Sequence, residues 1–278
     1  MILIEAKRRE VKAAAYKLRS AQEGDYGRLL TEPSVIAVAG RLAVVYLPLP
    51  PQEDMEPLRG ACARISYSTH FRTGGLKTTS KIFGYSPRVT IRRDYCSATA
   101  FAREQPDEHA TVARAALLVE RYYRQFNAEL YGAHRALAEE KIPHEYRLHG
   151  TAFTSGIVNE NNPLKYHYDA GNFRGVWSGM IVFKSGIEGG HLALPEFGLG
   201  VELCDRSLFL FDGQGILHGV TPIVRTRPDA KRYSIVYYSL QNMWSCRPLG
   251  EELDRIRQKR TEREAKRAAK QVRSDTPG

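Results

Sequence analysis

The sequence predicts an α+β fold: a sandwich or barrel of short antiparallel strands with helices packed around it. Three observations lead there. From about residue 150 to 242 the chain divides into short runs rich in Val, Ile, Phe, Tyr and Leu, namely TAFTSGIV, GVWSGMIVF, HLALP, GVELC, SLFLF, ILHGV and YSIVYYSL, separated by Gly, Asn and Pro. That is the texture of many short strands. Just before them, Val112, Ala116, Val119, Tyr123, Phe126 and Leu130 recur at three- and four-residue steps, giving a helix one apolar face that a sheet would cover. Finally, 278 residues of which 42% are hydrophobic suffice for one large core or two modest ones and exclude disorder as the whole answer.

Along the chain, residues 1–57 read as a helical and strand extension packed on the core. Within it EAKRREVKAAAYKLR, residues 5–19, carries six basic and two acidic residues at helical spacing and predicts a cationic surface helix. Residues 58–105 read as a basic, loop-rich stretch. Between 58 and 93 stand eight basic residues and no acidic one, with Tyr67, His70, Phe71, Phe83 and Tyr85 interleaved and a TGG break at 73–75. Cations interleaved with aromatics suit phosphate contacts and base stacking, and Arg72, Lys77, Lys81, Arg88 and Arg92 are the candidate contacts. The formal charge of +10 likewise favours an anionic partner such as nucleic acid. Residues 106–244 read as helix plus strand core, with Pro106, Asp107 and Glu108 suited to a first helical turn. Residues 245–278 read as a basic C-terminal helix and tail, whose nine basic and five acidic residues between 251 and 273 are spaced for i to i+4 pairs.

Cys62, Cys96, Cys204 and Cys246 lie far apart with no CxxC, so they are read as reduced, mostly buried thiols. No run of about 18 apolar residues is present. The opening MILIEAKRRE turns charged too soon for a signal-peptide core. The expectation is a soluble, intracellular protein without a membrane partner.

Three metal-ligand candidates stand in the strand region: His167 and Asp169 in YHYDAGN, and His218 in FDGQGILHGV. Residues i and i+2 of a strand share a face, so His167 and Asp169 can chelate one ion, and His218 can close the triangle from another strand. Two imidazoles and one carboxylate leave open positions on a metal, the arrangement of non-haem Fe(II) oxygenases. Fourteen residues beyond His218 comes Arg232, and Ser234 follows on the same strand face. A buried Arg forking onto a carboxylate, helped by a Ser hydroxyl, is what anchoring the far carboxylate of 2-oxoglutarate requires. Arg225 and Arg227 are rival anchors in the polar TPIVRTRPDAKR hairpin. The other histidines read as structural, His191 as a strand-entry residue after Gly189-Gly190 with an iron or co-substrate contact as its alternative, and Trp177 and Trp244 as packing aromatics.

In these motifs the sequence resembles the 2-oxoglutarate and Fe(II)-dependent dioxygenases, and among them the ten-eleven-translocation and J-binding-protein group. The H-x-D-x-x-N of that group is present as His167, Asp169 and Asn172. Its R-x-S-(I/L)-V-(F/Y)-Y-x-x-x-N is present as Arg232, Ser234, Ile235, Val236, Tyr237, Tyr238 and Asn242. RTGGLKTTSKIFGYSPRVTIRRDYC is similar to the upstream region of short fungal, algal and phage members. The resemblance implies a double-stranded β-helix core of jelly-roll or cupin-like type, flanked by helices. It implies Fe(II), 2-oxoglutarate and O2 as cofactors, and hydroxylation of a base methyl group in DNA. Duplex DNA would present the base flipped, with Asn172 hydrogen-bonding it and Tyr238 stacking on it. The resemblance implies 5-methylcytosine oxidised to 5-hydroxymethylcytosine and further, with thymine or N6-methyladenine as alternative bases. Leu240 stands where animal methylcytosine oxidases carry a base-contacting histidine, and their zinc-bearing Cys-rich module has no counterpart here. A 2-oxoglutarate hydroxylase of protein or small molecules, and a non-catalytic DNA-binding protein, are the competing readings. Action on DNA would place the protein in a eukaryotic nucleus, or in the cytoplasm of a bacterial or phage-infected cell.

Overall fold

A computed structural model describes residues 1–16, 19–71, 77–88 and 95–274. Among the described residues the strands are β1 (Ile2–Glu5), β2 (Arg28–Leu30), β3 (Ser34–Val38), β4 (Arg41–Pro48), β5 (Ser68–Phe71), β6 (Lys77–Ser86), β7 (Ser97–Ala98), β8 (Ser155–Glu160), β9 (Ser178–Ser185), β10 (Ile187–Gly189), β11 (Leu192–Leu194), β12 (Leu199–Val201), β13 (Ser207–Phe211), β14 (Gly219–Val220), β15 (Ile223–Arg225) and β16 (Lys231–Tyr238). The helices are α1 (Ala13–Tyr16), α2 (Glu56–Arg64), α3 (Ala100–Glu104), α4 (Pro106–Arg114), α5 (Ala116–Phe126), α6 (Ala128–Lys141) and α7 (Leu249–Ser274).

Two sheets form the sandwich. The larger runs β1-β3-β4-β13-β9-β16-β8-β6-β5, with β7 on β6; the smaller runs β14-β11-β12-β2. Side chains alternate along each large-sheet strand, so each feeds two cores. Met180, Val182, Phe209 and Phe211 face the small sheet and meet Leu192, Leu194, Leu199 and Val201 there. Their neighbours Ile181, Phe183, Leu208, Leu210, Ile235 and Tyr237 face the helices and meet Val112, Ala116, Val119 and Tyr123. A helix layer on one face of a mostly antiparallel sheet, with a second sheet on the other, is the α+β jelly-roll architecture expected. The strand runs foreseen between residues 150 and 242 are realised as β8, β9, β11, β12, β13, β14 and β16.

Several local expectations are corrected. The apolar stripe from Val112 to Leu130 lies on three helices, because the chain breaks at Ala115 and because the Asn127 side chain accepts from Leu130 N (3.0 Å), capping α6. The cationic helix over residues 5–19 is reduced to the single turn α1. The preceding chain instead pairs as a strand with β3 and then follows the body through Ala6 N to Ala37 O and Arg9 N to Glu196 O. Two of the four cysteines are bridged: Cys96 and Cys246 form a disulfide across a separation of 150 residues. Sequence spacing carries no information on such a pair, since only the fold brings them together. Cys62 is a free buried thiol and Cys204 a half-buried one. No described helix is long and apolar enough to cross a membrane.

Candidate active site

The opening between the two sheets holds a cavity of about 230 Å³ whose lining includes His167, Asp169, Asn172, His218, Ser234, Tyr238 and Leu240. His167 and His218 sit opposite each other in an isolated antiparallel bridge, His167 N donating to His218 O (2.9 Å) and His218 N to His167 O (3.1 Å). This backbone exchange, rather than a full strand, brings the two imidazoles together. Asp169 N is fixed on Gly213 O at 2.9 Å. A side chain at Gly213 would lie 2.3 Å from Asp169 Oδ2, so the carboxylate has room only because that residue is glycine.

The ligand atoms of His167, Asp169 and His218 all lie within 4.8 Å of one another. Nε2 of His167 is 3.5 Å, and Nε2 of His218 3.9 Å, from Asp169 Oδ1. Each imidazole donates its Nδ1 proton to a backbone carbonyl, His167 to Lys165 O (2.7 Å) and His218 to Ile216 O (2.8 Å). These bonds set the tautomer and leave both Nε2 lone pairs free toward Asp169. Burial, and then the neighbouring His167, pull His218 down to about 4. It is therefore neutral near pH 7, as a ligand must be. The set can hold a divalent metal through two nitrogens and one oxygen.

Arg232 and Ser234 lie on the same face of β16 as Val236 and Tyr238. Arg232 is 1% exposed, and its Nε and Nη2 have no hydrogen-bond partner. Burial pulls it down to about 10, still charged near neutral pH. A buried, unpaired guanidinium costs several kcal/mol, so the site lacks an anion in just this place. A carboxylate group would match that charge in a fork-shaped form. The positive φ of Gly190 turns the backbone beside the Arg232 stem, where a side chain would crowd Cδ and Nε at 3.2 Å. The rival anchors Arg225 and Arg227 are exposed. The pocket residues fit the iron and 2-oxoglutarate pair.

Asn172 and Leu240 form a second isolated bridge at the other side of the metal ligands. Asn172 Nδ2 donates to Ser178 Oγ at 3.3 Å, and Tyr238 lines the cavity beside Leu240. The exposed Ile82 of β6 closes the rim. Sequence reading missed Ile82, Met180 and Asn159. Asn159 could have been found from strand parity, because it pairs in register with Ser234 and donates to its hydroxyl at 3.4 Å. His191 shares a hydrogen bond with the Tyr26 hydroxyl (2.9 Å) outside this lining. Trp177 is buried and stacked on Tyr123, whereas Trp244 meets Phe173 edge-on and stays partly exposed.

The basic candidates divide. Lys81 pairs with Glu104 at 2.7 Å, and Arg88 pairs with the buried Glu252. Lys77 begins β6. Arg72 and Arg92 lie outside the described residues.

The family model of Tet_JBP, the oxygenase domain of the 2OGFeDO superfamily, matches residues 84–241. The chain belongs to the Tet_JBP family. Fe(II), 2-oxoglutarate and O2 are accordingly the cofactors of this oxygenase domain. Among curated relatives, the bifunctional helicase and thymine dioxygenase JBP2 of Leishmania tarentolae is 28% identical over 205 residues, 71% of this chain and 18% of that protein. The thymine dioxygenase JBP1-A of Trypanosoma cruzi is 28% identical over 187 residues, 65% of this chain and 21% of that protein. The Tet_JBP chain thus spans about a fifth of the length of these relatives. Among solved structures, NgTET1 in complex with 5mC DNA matches with a TM-score of 0.59 at 15% identity, covering 83% of this chain and 86% of that one. That likeness is one of fold.

Proposed function

We propose that this chain is a DNA base dioxygenase that hydroxylates the C5 methyl group of 5-methylcytosine, giving 5-hydroxymethylcytosine and further oxidation products. One observation carries the reading. His167, Asp169 and His218, the co-substrate candidate Ser234, and the base-contact candidates Asn172 and Tyr238 all line a single cavity, and the buried Arg232 lies on the same strand face as Ser234 and Tyr238. When bound, iron with 2-oxoglutarate and oxygen supplies the power to convert a C–H bond into C–OH. The chain supplies the positioning. Arg232 and Ser234 hold the far end of the co-substrate, and the His167, Asp169 and His218 side chains fix the metal. Tyr238 offers a stacking face that offsets the few kcal/mol of extruding a base from the duplex.

Asn172 suits cytosine. With one Nδ2 proton given to Ser178, its carbonyl oxygen can accept from an exocyclic amino group. 5-Methylcytosine has that group; thymine has a carbonyl there. Thymine is the second reading, favoured by the relatives named thymine dioxygenases. DNA is the proposed partner, with the cell compartment following the DNA. The test is mass spectrometry of nucleosides from DNA carrying 5-methylcytosine, thymine or N6-methyladenine after incubation with protein, Fe(II), ascorbate and 2-oxoglutarate. 5-Hydroxymethylcytosine formed only with 2-oxoglutarate is the expected product. Oxidised thymine alone would transfer the assignment to thymine, and succinate without an altered base would move the substrate off DNA.

A further inference from the structure

We infer that Glu196 is a positioning residue for the metal cluster: one buried carboxylate that ties the His218-bearing segment from behind and is itself held by Arg8 of the N-terminal segment. The inference rests on the metal reading of His167, Asp169 and His218.

Glu196 is 5% exposed and follows β11 in the turn closed by Phe197 N on Leu194 O (3.0 Å). Its Oε2 accepts from Leu217 N at 2.8 Å, and Leu217 immediately precedes His218. Its Oε1 accepts from Arg8 Nη2 at 2.9 Å. Arg8 also donates to Gly215 O, on the turn that leads into His218. The backbone of Glu196 takes part too, its carbonyl accepting from Arg9 N at 2.7 Å.

A second strand of the same strap reaches the residue before His167. Tyr166 donates its hydroxyl to Asp25 Oδ2 (2.9 Å), whose Oδ1 accepts from Arg19 (2.7 Å), and Tyr166 N donates to Arg19 O (3.0 Å). The N-terminal segment thus grips Tyr166 before His167 directly, and Leu217 before His218 through Glu196. Neither Glu196 nor Arg8 lines the cavity, so neither can touch a bound metal. Their effect must pass through the backbone at Leu217 and Gly215. A metal site tolerates ligand displacements of only about 0.5 Å, so a loosened His218 segment weakens metal binding before it unfolds the protein.

The test titrates metal-free protein with Mn(II) alone and follows thermal unfolding of the same samples. Wild type, Asp169→Ala, Glu196→Ala, Glu196→Gln and Arg8→Gln are compared. Loss of an outer partner of a metal site costs on the order of 10- to 100-fold in affinity. Glu196→Ala is expected to weaken Mn(II) by at least about tenfold on that scale, with Glu196→Gln intermediate because it keeps an oxygen for Leu217 N. Arg8→Gln, on a half-exposed side chain, is expected to shift affinity in the same direction by a few-fold and decides the matter should the Glu196 variants fail to fold. Wild-type Mn(II) affinity in folded Glu196→Ala, or in Arg8→Gln, overturns the inference. A wild type that binds no better than Asp169→Ala removes the metal reading itself, and the inference with it.

Discussion

Arg232 is the residue where burial and chemistry meet most sharply, because a guanidinium with unpartnered Nε and Nη2 at 1% exposure is unfavourable until an anion arrives. Arg232→Lys keeps the charge and loses the fork. It should raise the 2-oxoglutarate KM by tenfold or more, the equivalent of about 1.4 kcal/mol, with a smaller effect on the KM for DNA. Steady-state rates against 2-oxoglutarate concentration check this, and an unchanged KM would move the anchor elsewhere. The Asn172 amide is a matching test at the base end. Ser178→Ala removes the acceptor that orients it, so the amide can turn its NH2 toward the base and accept thymine. The ratio of oxidised thymine to oxidised 5-methylcytosine should rise several-fold in a competition assay, whereas Asn172→Asp, which only accepts, should lower it. His134 is fully buried and bonded through Nε2 to Oγ of Ser239 (2.8 Å), the residue after Tyr238. Burial pulls it down to about 3, against about 6.5 in the unfolded chain. The unfolded state therefore binds the extra proton between those values. Stability is full above pH 6.5 and is lost on acidification toward the folded pKa, at up to about 1.4 kcal/mol per pH unit. Denaturant midpoints measured from pH 7 to 5 should fall more steeply for wild type than for His134→Asn.

At the scale of elements, the C-terminal helix α7 joins the body through its first turn. Glu252 is buried and accepts from Arg88, Arg247 N (3.0 Å) and Cys96 N (3.3 Å), beside the Cys96–Cys246 disulfide. Burial alone would raise the Glu252 pKa; the Arg88 guanidinium and the two backbone donors outweigh it, so the carboxyl lies below its usual value. Its contribution is thus present above the unfolded carboxylate pKa and lost as pH falls through the lowered one. Glu252→Gln leaves Arg88 without its charge partner and should lower the melting temperature measurably at pH 7 while the difference from wild type shrinks below pH 4. This junction was illegible in the sequence. Arg88 reads there as one more cation in an acid-free stretch, and Glu252 as one more charge on a polar helix, because their partnership spans 164 residues. What sequence patterning conveys well is short-range: the short apolar runs that became β9, β13 and β16, R-x-S on one face of β16, and the H-x-D spacing, whose segment is held by an isolated bridge and not by a strand. The breaks at Ala115 and Asn127, the disulfide and the Glu196 strap depend on what packs against what, and periodicity is silent on that.

Across the whole molecule, the charge of +10 is not spread as a uniform coat. Part of the basic stretch between residues 58 and 93 is engaged internally, Arg59 with Asp205, Arg64 with Glu108, Lys81 with Glu104 and Arg88 with Glu252. A side chain already paired to a carboxylate gains less on meeting a phosphate than an unpaired one would, since the first pair must be broken. Exposed pairs such as Lys81–Glu104 are worth only about 0 to 1 kcal/mol and can exchange partners, whereas the Arg88–Glu252 pair is buried and cannot without moving α7. The sequence candidates Arg72, Lys77 and Arg92 can be compared with the internally paired Arg88 in one experiment. Neutralising Arg72, Lys77 and Arg92 together should weaken duplex binding and flatten the slope of log affinity against log salt by roughly 0.9 for each phosphate left without its cation. Arg88→Ala should leave that slope close to wild type and lower the melting temperature instead. Fluorescence anisotropy of a labelled duplex from 50 to about 200 mM salt measures the slope over the range where such pairings dominate. A slope flattened by Arg88→Ala and untouched by the triple variant would reverse the assignment, making α7 and its anchor the DNA-binding surface.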